Sequence, residues 1–386
     1  MAYRLLRRGV ITAAALALAL ASSAAVVGPA QASTPGWRIT QVFGAPSYPI
    51  FQGLTASVAG NAWIAGTTVQ ALLAEQWDGS QWQAVPPPAP FDGSVSGDSV
   101  NVAAVGSSSA ANTWFFPTLG TSTADIQYAL RWTGSAWTAF RLSKKNMVIG
   151  TAVFGKSDVW LFGQKPGSGN NLGFGPAWVL RFNGTAWRPE SAPATPVGVS
   201  AVSASDMWAI GPSAKTVNAA KQVVVTMHWN GTAWRVHKLP AIPPAGGNGW
   251  VPVSIAATGP DNAWVVELHP ANPGTGQAPV GTALLHWNGR AWSRAGESGK
   301  IYASGGLTPD GHGGLWLAGT GSASQAYFAH YSGGRFTLQA VPTESGYTVG
   351  IAGLRRIPGT ASVWATAVLT PTGNGINESA ILKYGP

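Results

Sequence analysis

Between Val197 and Pro240 the apolar positions fall in four short runs separated by turn residues. Val199-Ser200-Ala201-Val202 comes first, and Met207 to Ile210 follows after a short turn. A spacer leads to Val223 through Trp229, and Trp234 through Lys238 completes the unit. Asn230-Gly231 lies between the last two runs, the pair a two-residue type I′ hairpin demands because both positions need positive φ. The pattern predicts four β-strands: a small-residue inner strand, a Trp strand, a hairpin strand and an outer strand.

The unit recurs. A Trp following a short turn stands at 63, 114, 160, 208, 264, 316 and 364, at spacings of 46 to 56 residues. Each is followed by a hairpin aromatic: Trp77, Trp132, Phe182, Trp229, Trp287, Tyr331 and Tyr384. Five residues later come Trp82, Trp137, Trp187, Trp234, Trp292 and Phe336. The seventh member of this last series is supplied by Trp37, ahead of the strand-like Arg38-Ile39-Thr40-Gln41-Val42. All 21 slots are then aromatic, 17 of them Trp, and only Trp178 and Trp250 stand outside. Four-stranded units at this period predict an all-β fold. The expectation is a seven-bladed β-propeller of four-stranded antiparallel blades over residues 33–386, its ring closed by the mature N-terminal strand.

Composition supports this reading. Gly (50) and Pro (28) make up a fifth of the 386 residues, and charged residues only 10%, against roughly 25% in ordinary globular chains. Low charge excludes a coiled coil, and 45% apolar content excludes disorder. The chain has no Cys, which excludes disulfides, thiolate metal sites and cysteine nucleophiles. Packing alone must hold such a fold, each slot aromatic burying roughly 150–250 Å² between blades.

Residues 1–32 read as a secretory signal: Arg4, Arg7 and Arg8, an apolar run from Val10 to Val27, and Ala30-Gln31-Ala32, with cleavage after Ala32. Arg7-Arg8-Gly9-Val10-Ile11 also fits a loose twin-arginine pattern. Cleavage takes the net charge from +9 to +6, since 20 Lys and Arg then face 14 Asp and Glu. Beyond Lys144-Lys145 and Arg355-Arg356 there is no basic cluster, so nucleic acid is not an expected partner. The expected product is a secreted, soluble monomer.

Repeats of the form D-x-W-A-x-G…H-W-N-G-T-x-W resemble those of secreted β-propeller proteins of high-GC bacteria, in the broad kelch and galactose-oxidase-like group. The likeness covers nearly the whole mature chain and implies a fold rather than an activity. The kelch double glycine is missing from most units, and galactose oxidase's copper site needs a Cys-linked Tyr that this chain cannot form.

Candidate chemistry is sparse. His228, His286 and His330 occupy one repeat position on separate sheets. Packed sheets lie about 10 Å apart and metal–nitrogen bonds span about 2.0–2.1 Å, so no metal site or other cofactor is expected. Asp78, Asp158, Asp206, Asp261 and Asp310 are assigned to turns, where Asp accepts from turn amides. Asp92, Asp98, Asp125, Glu190, Glu297, Glu344 and Glu378 are scattered over different blades, and no pair is preferred. No G-x-S-x-G, HExxH, phosphate-loop or EF-hand sequence is present.

The connections differ more than the strands do. The first and third of each unit are tight, so they form one flat face. The second and fourth are long and open on the other: 164–176, 212–222, 269–281, 86–98 and 240–250. Variable loops on a rigid scaffold are where binding resides. Trp250, Trp178, Phe174, Tyr302 and Tyr347, with Lys165 and Lys221, are expected at this face, and the blade cores are not expected to need either Trp. Aromatics beside polar groups suit sugar rings or protein partners. The sequence therefore predicts an exported non-catalytic binding protein for a glycan or an extracellular protein. The alternative is a polysaccharide hydrolase or lyase with a carboxylate pair at the channel mouth.

Overall fold

A computed structural model describes residues 36–44, 48–68, 71–94, 99–121, 124–144, 146–167, 175–217, 222–240, 251–269, 281–299, 301–320 and 325–385. Among them every regular element is a β-strand, and the strands form seven four-stranded antiparallel sheets. The inner strands are Ile50–Val58, Ser99–Ser109, Met147–Gly155, Gly198–Ser203, Val251–Gly259, Tyr302–Pro309 and Tyr347–Arg356, and they number blades 1 to 7. Each touches the inner strands of its two neighbours, the last against the first. This is a seven-bladed β-propeller. Blade 7 holds Tyr347–Arg356, Val363–Pro371 and Glu378–Tyr384, with Trp37–Phe43 paired antiparallel on the outside, Trp37 opposite Tyr384.

In blade 4 the four runs of the pattern become Gly198–Ser203, Asp206–Pro212, Val224–Trp229 and Trp234–Lys238. The hairpin differs from the expected type I′ turn. Trp229 pairs with Trp234 across four residues, and Gly231 alone has positive φ (94°). Asn230 instead uses its side chain, whose Oδ1 accepts from the N–H groups of Thr232 (3.1 Å) and Ala233 (2.9 Å). An Asx turn thus replaces the second positive φ.

The 21 aromatic slots assemble into seven clusters, each spanning two blades. Trp63 of blade 1 lies 6.2 Å and 6.4 Å from Trp132 and Trp137 of blade 2. Trp208 of blade 4 meets Trp287 and Trp292 of blade 5 at 5.7 Å and 5.9 Å. Trp316 of blade 6 meets Tyr384 and Trp37 of blade 7 at 4.6 Å and 5.5 Å. Trp364 of blade 7 meets Trp77 and Trp82 of blade 1 at 5.0 Å and 4.7 Å. The first Trp of each blade is buried, and tilted or edge-on packing of this kind adds about 0.5–1.5 kcal/mol per pair beyond burial.

The histidines belong to this scaffold. His228 stacks on Trp208 (centroids 4.3 Å apart, planes 11° apart), and its Nε2 lies 2.8 Å from Asp206 Oδ1. His286 and His330 repeat the arrangement on Trp264 and Trp316, with Asn262 and Asp310 as partners at 2.8 Å. In blade 3 Arg181 takes the His place, 4.9 Å over Trp160 and 2.8 Å from Asp158. Asp158 and Asp206 were expected to serve turn amides. They accept instead from side chains: Asp158 from Arg181 on the adjacent strand and from the Trp160 indole two residues along its own, and Asp206 from His228 on the adjacent strand.

Trp178 also departs from expectation. It lies in the strand Ala177–Phe182 opposite Gly163, half-buried against the core between blades 2 and 3. A Cβ at position 163 would stand 2.9 Å from its ring. The missing side chain of Gly163 is what seats the indole, so this Trp does pack the core.

Candidate functional site

The second and fourth connections leave each blade at the end where its inner strand begins, and the described residues there define the candidate face. They are not long throughout, contrary to the sequence expectation: in blade 2 they are only 121–124 and 145–146. Phe174, Lys221 and Trp250 lie outside the described residues. Lys165 is exposed on blade 3, its N–H donating to Pro176 O at 2.8 Å across the base of its loop. Tyr302 opens the inner strand of blade 6, half-buried, with its hydroxyl on Gly299 O at 3.3 Å. Tyr347 opens that of blade 7, after a turn in which Gly346 has φ of 82°. Desolvation raises the pKa of the Tyr347 hydroxyl, and Glu378, Tyr48 and Glu344 push it further up. The structure thus distributes these residues over blades 3, 6 and 7.

The same face carries a cavity of about 400 Å³ between blades 2 and 3. Ser99 and Asn101 come from the start of one inner strand, and Asn146 and Met147 from the start of the next. Thr118 and Gly120 end the Trp strand of blade 2, and Asp125 and Gln127 begin its hairpin strand. Strand alternation sends Ser99 and Asn101 to one side of the sheet together. Asp125, Ser99 and Asn101 are exposed, whereas Gln127 is buried and donates through Nε2 to Thr118 Oγ1 at 2.6 Å. Its Oε1 is buried without a hydrogen-bond partner among the described residues. Gly120 matters by its bareness, because a Cβ there would meet Ser99 Oγ and stand 3.2 Å from Asp125 Oδ1.

This lining mixes hydroxyls, amides and one carboxylate with the apolar Met147 and Ala103. Such a surface accepts from and donates to ligand hydroxyls while covering a C–H face. Of the residues singled out from the sequence, the four that are described (Trp178, Lys165, Tyr302 and Tyr347) are not among its described lining residues. Asp125 was one scattered acid among many, and no local signal marks Asn101 or Gln127.

Two other groups escape a sequence reading. Glu267 of blade 5 is 4% exposed, and burial pushes its carboxyl up to about 7. Arg355 of blade 7 is exposed to the axial lumen, which all seven inner strands line. Among the described residues no group of three or more His, Asp or Glu is arranged to hold a metal ion.

No protein-family model matches the chain, and no curated protein sequence matches it. Solved structures do. YCF48, solved bound to a D1 peptide, is 13% identical, with 91% of this chain and 97% of that one covered at a TM-score of 0.54. A virginiamycin B lyase from Staphylococcus aureus, solved as an inactive variant with quinupristin, is 14% identical over 90% of this chain and 99% of its own, also at 0.54. At such identities the likeness is one of fold: this chain is a β-propeller among β-propellers of differing activity.

Proposed function

We propose that the protein is an exported, monomeric binding protein of the broad kelch and galactose-oxidase-like propeller group, whose long-loop face takes a glycan. Its repeat signature supports the grouping, and the Arg-led apolar segment ending in Ala30-Gln31-Ala32 supports export. The observation that carries the ligand class is the cavity between blades 2 and 3. Its volume of about 400 Å³ falls in the range of small-molecule sites. Asp125 accepts sugar hydroxyls, Asn101 and Asn146 supply paired donors and acceptors, and Met147 covers the ring.

The hydrolytic alternative requires two carboxylates roughly 5–10 Å apart. Asp125 is the one carboxylate among the described lining residues, which favours binding over cleavage. A glycan array read beside an activity screen on polysaccharides tests this. The expected result is retention of a neutral glycan without turnover, lost in Asp125→Ala. Cleavage of any bound polysaccharide would transfer the protein to the hydrolase or lyase class. An array without a hit would remove the glycan and leave an extracellular protein as the partner to seek.

A further inference from the structure

The second cavity lies at the opposite end of the inner strands, where the first connections join them to the Trp strands, by two-residue turns in blades 1 to 5 and by 310–314 and 357–362 in blades 6 and 7. It encloses about 410 Å³ on the propeller axis and takes lining residues from all seven blades. Six blades supply small or neutral side chains, among them Ser200, Thr258 and Thr308. Blade 7 alone supplies charge, through Arg355 and Arg356, and no carboxylate is among the described lining residues.

The two arginines differ. Arg356 is tied down: its Nε donates to Thr360 O at 3.3 Å, and its guanidinium fills the space that a side chain on Gly311 would need. Arg355 is exposed to the lumen, and its guanidinium has no hydrogen-bond or ion-pair partner among the described residues. The lumen wall lowers its pKa from the ordinary value by desolvation, yet the side chain is open to solvent in the lumen and stays charged. An accessible guanidinium with no carboxylate among the described lining residues is available to pair with an anion from solution.

The neighbouring hydroxyls are set to help. Ser200 Oγ accepts from Ala257 N–H at 2.9 Å, and Thr308 Oγ1 accepts from Arg356 N–H at 3.1 Å. Thr258 Oγ1 accepts from Asn262 Nδ2 at 2.7 Å. Each of these hydroxyls has accepted from its protein partner, so its own proton is free to donate. They belong to blades 4, 5 and 6, an arc leading to Arg355 in blade 7.

We infer that the axial mouth on the tight-turn side is a second binding site, for the anionic group of a small acidic ligand about the size of a monosaccharide. Arg355 holds the carboxylate or sulfate as a charge-assisted, forked donor. The Ser200–Thr258–Thr308 arc donates to the remaining oxygens, and Arg356 adds to the positive field. This site is independent of the glycan cavity on the other face.

Calorimetric titration at low salt tests it, with D-glucuronate, its neutral counterpart D-glucose, and inorganic sulfate as probes. Wild-type protein is expected to bind glucuronate and sulfate and to bind glucose at least about tenfold more weakly. Arg355→Ala should lose glucuronate binding about tenfold or more while melting no earlier than the parent, and Arg355→Lys should keep part of it. Asp125→Asn should leave it unchanged, which separates this site from the glycan cavity. Equal binding of glucose, unaltered glucuronate binding by Arg355→Ala, or failure of the wild type to bind glucuronate would each overturn the assignment. Sulfate bound without glucuronate would also overturn it, because the lumen would then hold a bare inorganic ion.

Discussion

The two ends of the inner strands carry opposite chemistry on one scaffold. Where the strands begin, the cavity between blades 2 and 3 offers Asp125, neutral amides and hydroxyls. Where they finish, all seven converge on a lumen whose only ionisable described lining groups are Arg355 and Arg356. The difference lies in where single blades depart from the repeat. Only 145–146 separates the outer strand of blade 2 from the inner strand of blade 3, and the polar residues at the starts of those two inner strands share one cavity. At the second end the inner strands close on the axis with mostly small side chains, and blade 7 adds the arginines. In a repeat fold, chemistry is found where one copy departs from the others.

The largest expected effect comes from damaging what both ends share. Trp37 stacks on Phe328 with centroids 3.6 Å apart and planes 8° apart, joining blade 7 to blade 6. Trp37→Ala should lower stability by about 3–5 kcal/mol and weaken both sites together as the protein melts. Deleting residues 34–42 should do more, because it leaves Glu378–Tyr384 as an unpaired edge. A deletion variant with the parent's melting curve would show that ring closure does not need this strand.

Glu267 lies toward the long-loop end of blade 5 and gives that end a pH response. Burial raises its pKa from 4.5 to about 7, so the ionised form is the one the fold disfavours. Its contribution to stability is complete below about 4.5 and is lost as pH rises through about 7. Glu267→Gln should therefore melt with the parent at acid pH and later than it at pH 8, by on the order of 3 kcal/mol. Arg355 does not titrate in this window, so Arg355→Ala should shift melting equally at both pH values. Melting curves that stay parallel for Glu267→Gln would contradict the burial argument.

Smaller effects separate the faces directly. Gly120→Ala would drive a Cβ against Ser99 Oγ and to 3.2 Å from Asp125 Oδ1. Glycan affinity should fall about tenfold, roughly 1.4 kcal/mol, with glucuronate binding unchanged. Trp178→Ala, contrary to the sequence expectation, should lower the melting temperature, because the indole packs on the core over Gly163.

The scaffold was legible because its signal repeats. Trp208, Trp229 and Trp234 recur in register, so blade number and aromatic packing followed from spacing alone. The hairpin was half legible: Asn230-Gly231 marked the turn, but the side-chain capping by Asn230 is a matter of geometry. Asp206 and His228 were each visible, yet their 2.8 Å contact joins residues 22 apart and needs the sheet register. The sites were not legible. Asp125, Asn101 and Asn146 meet only because two inner strands begin side by side, and Arg355 is remote from Ser200 in sequence but faces the same lumen. Exposed aromatics drew attention to single loops, whereas the cavities are made between blades.

The most direct test of glycan binding at the long-loop face is a titration of the best array glycan into wild-type protein, Asp125→Asn and Arg355→Ala. The expected outcome is binding to the wild type and to Arg355→Ala with equal affinity, and about tenfold weaker binding or none to Asp125→Asn. Unchanged affinity in Asp125→Asn, with loss in Arg355→Ala, would contradict it and move the glycan to the axial mouth.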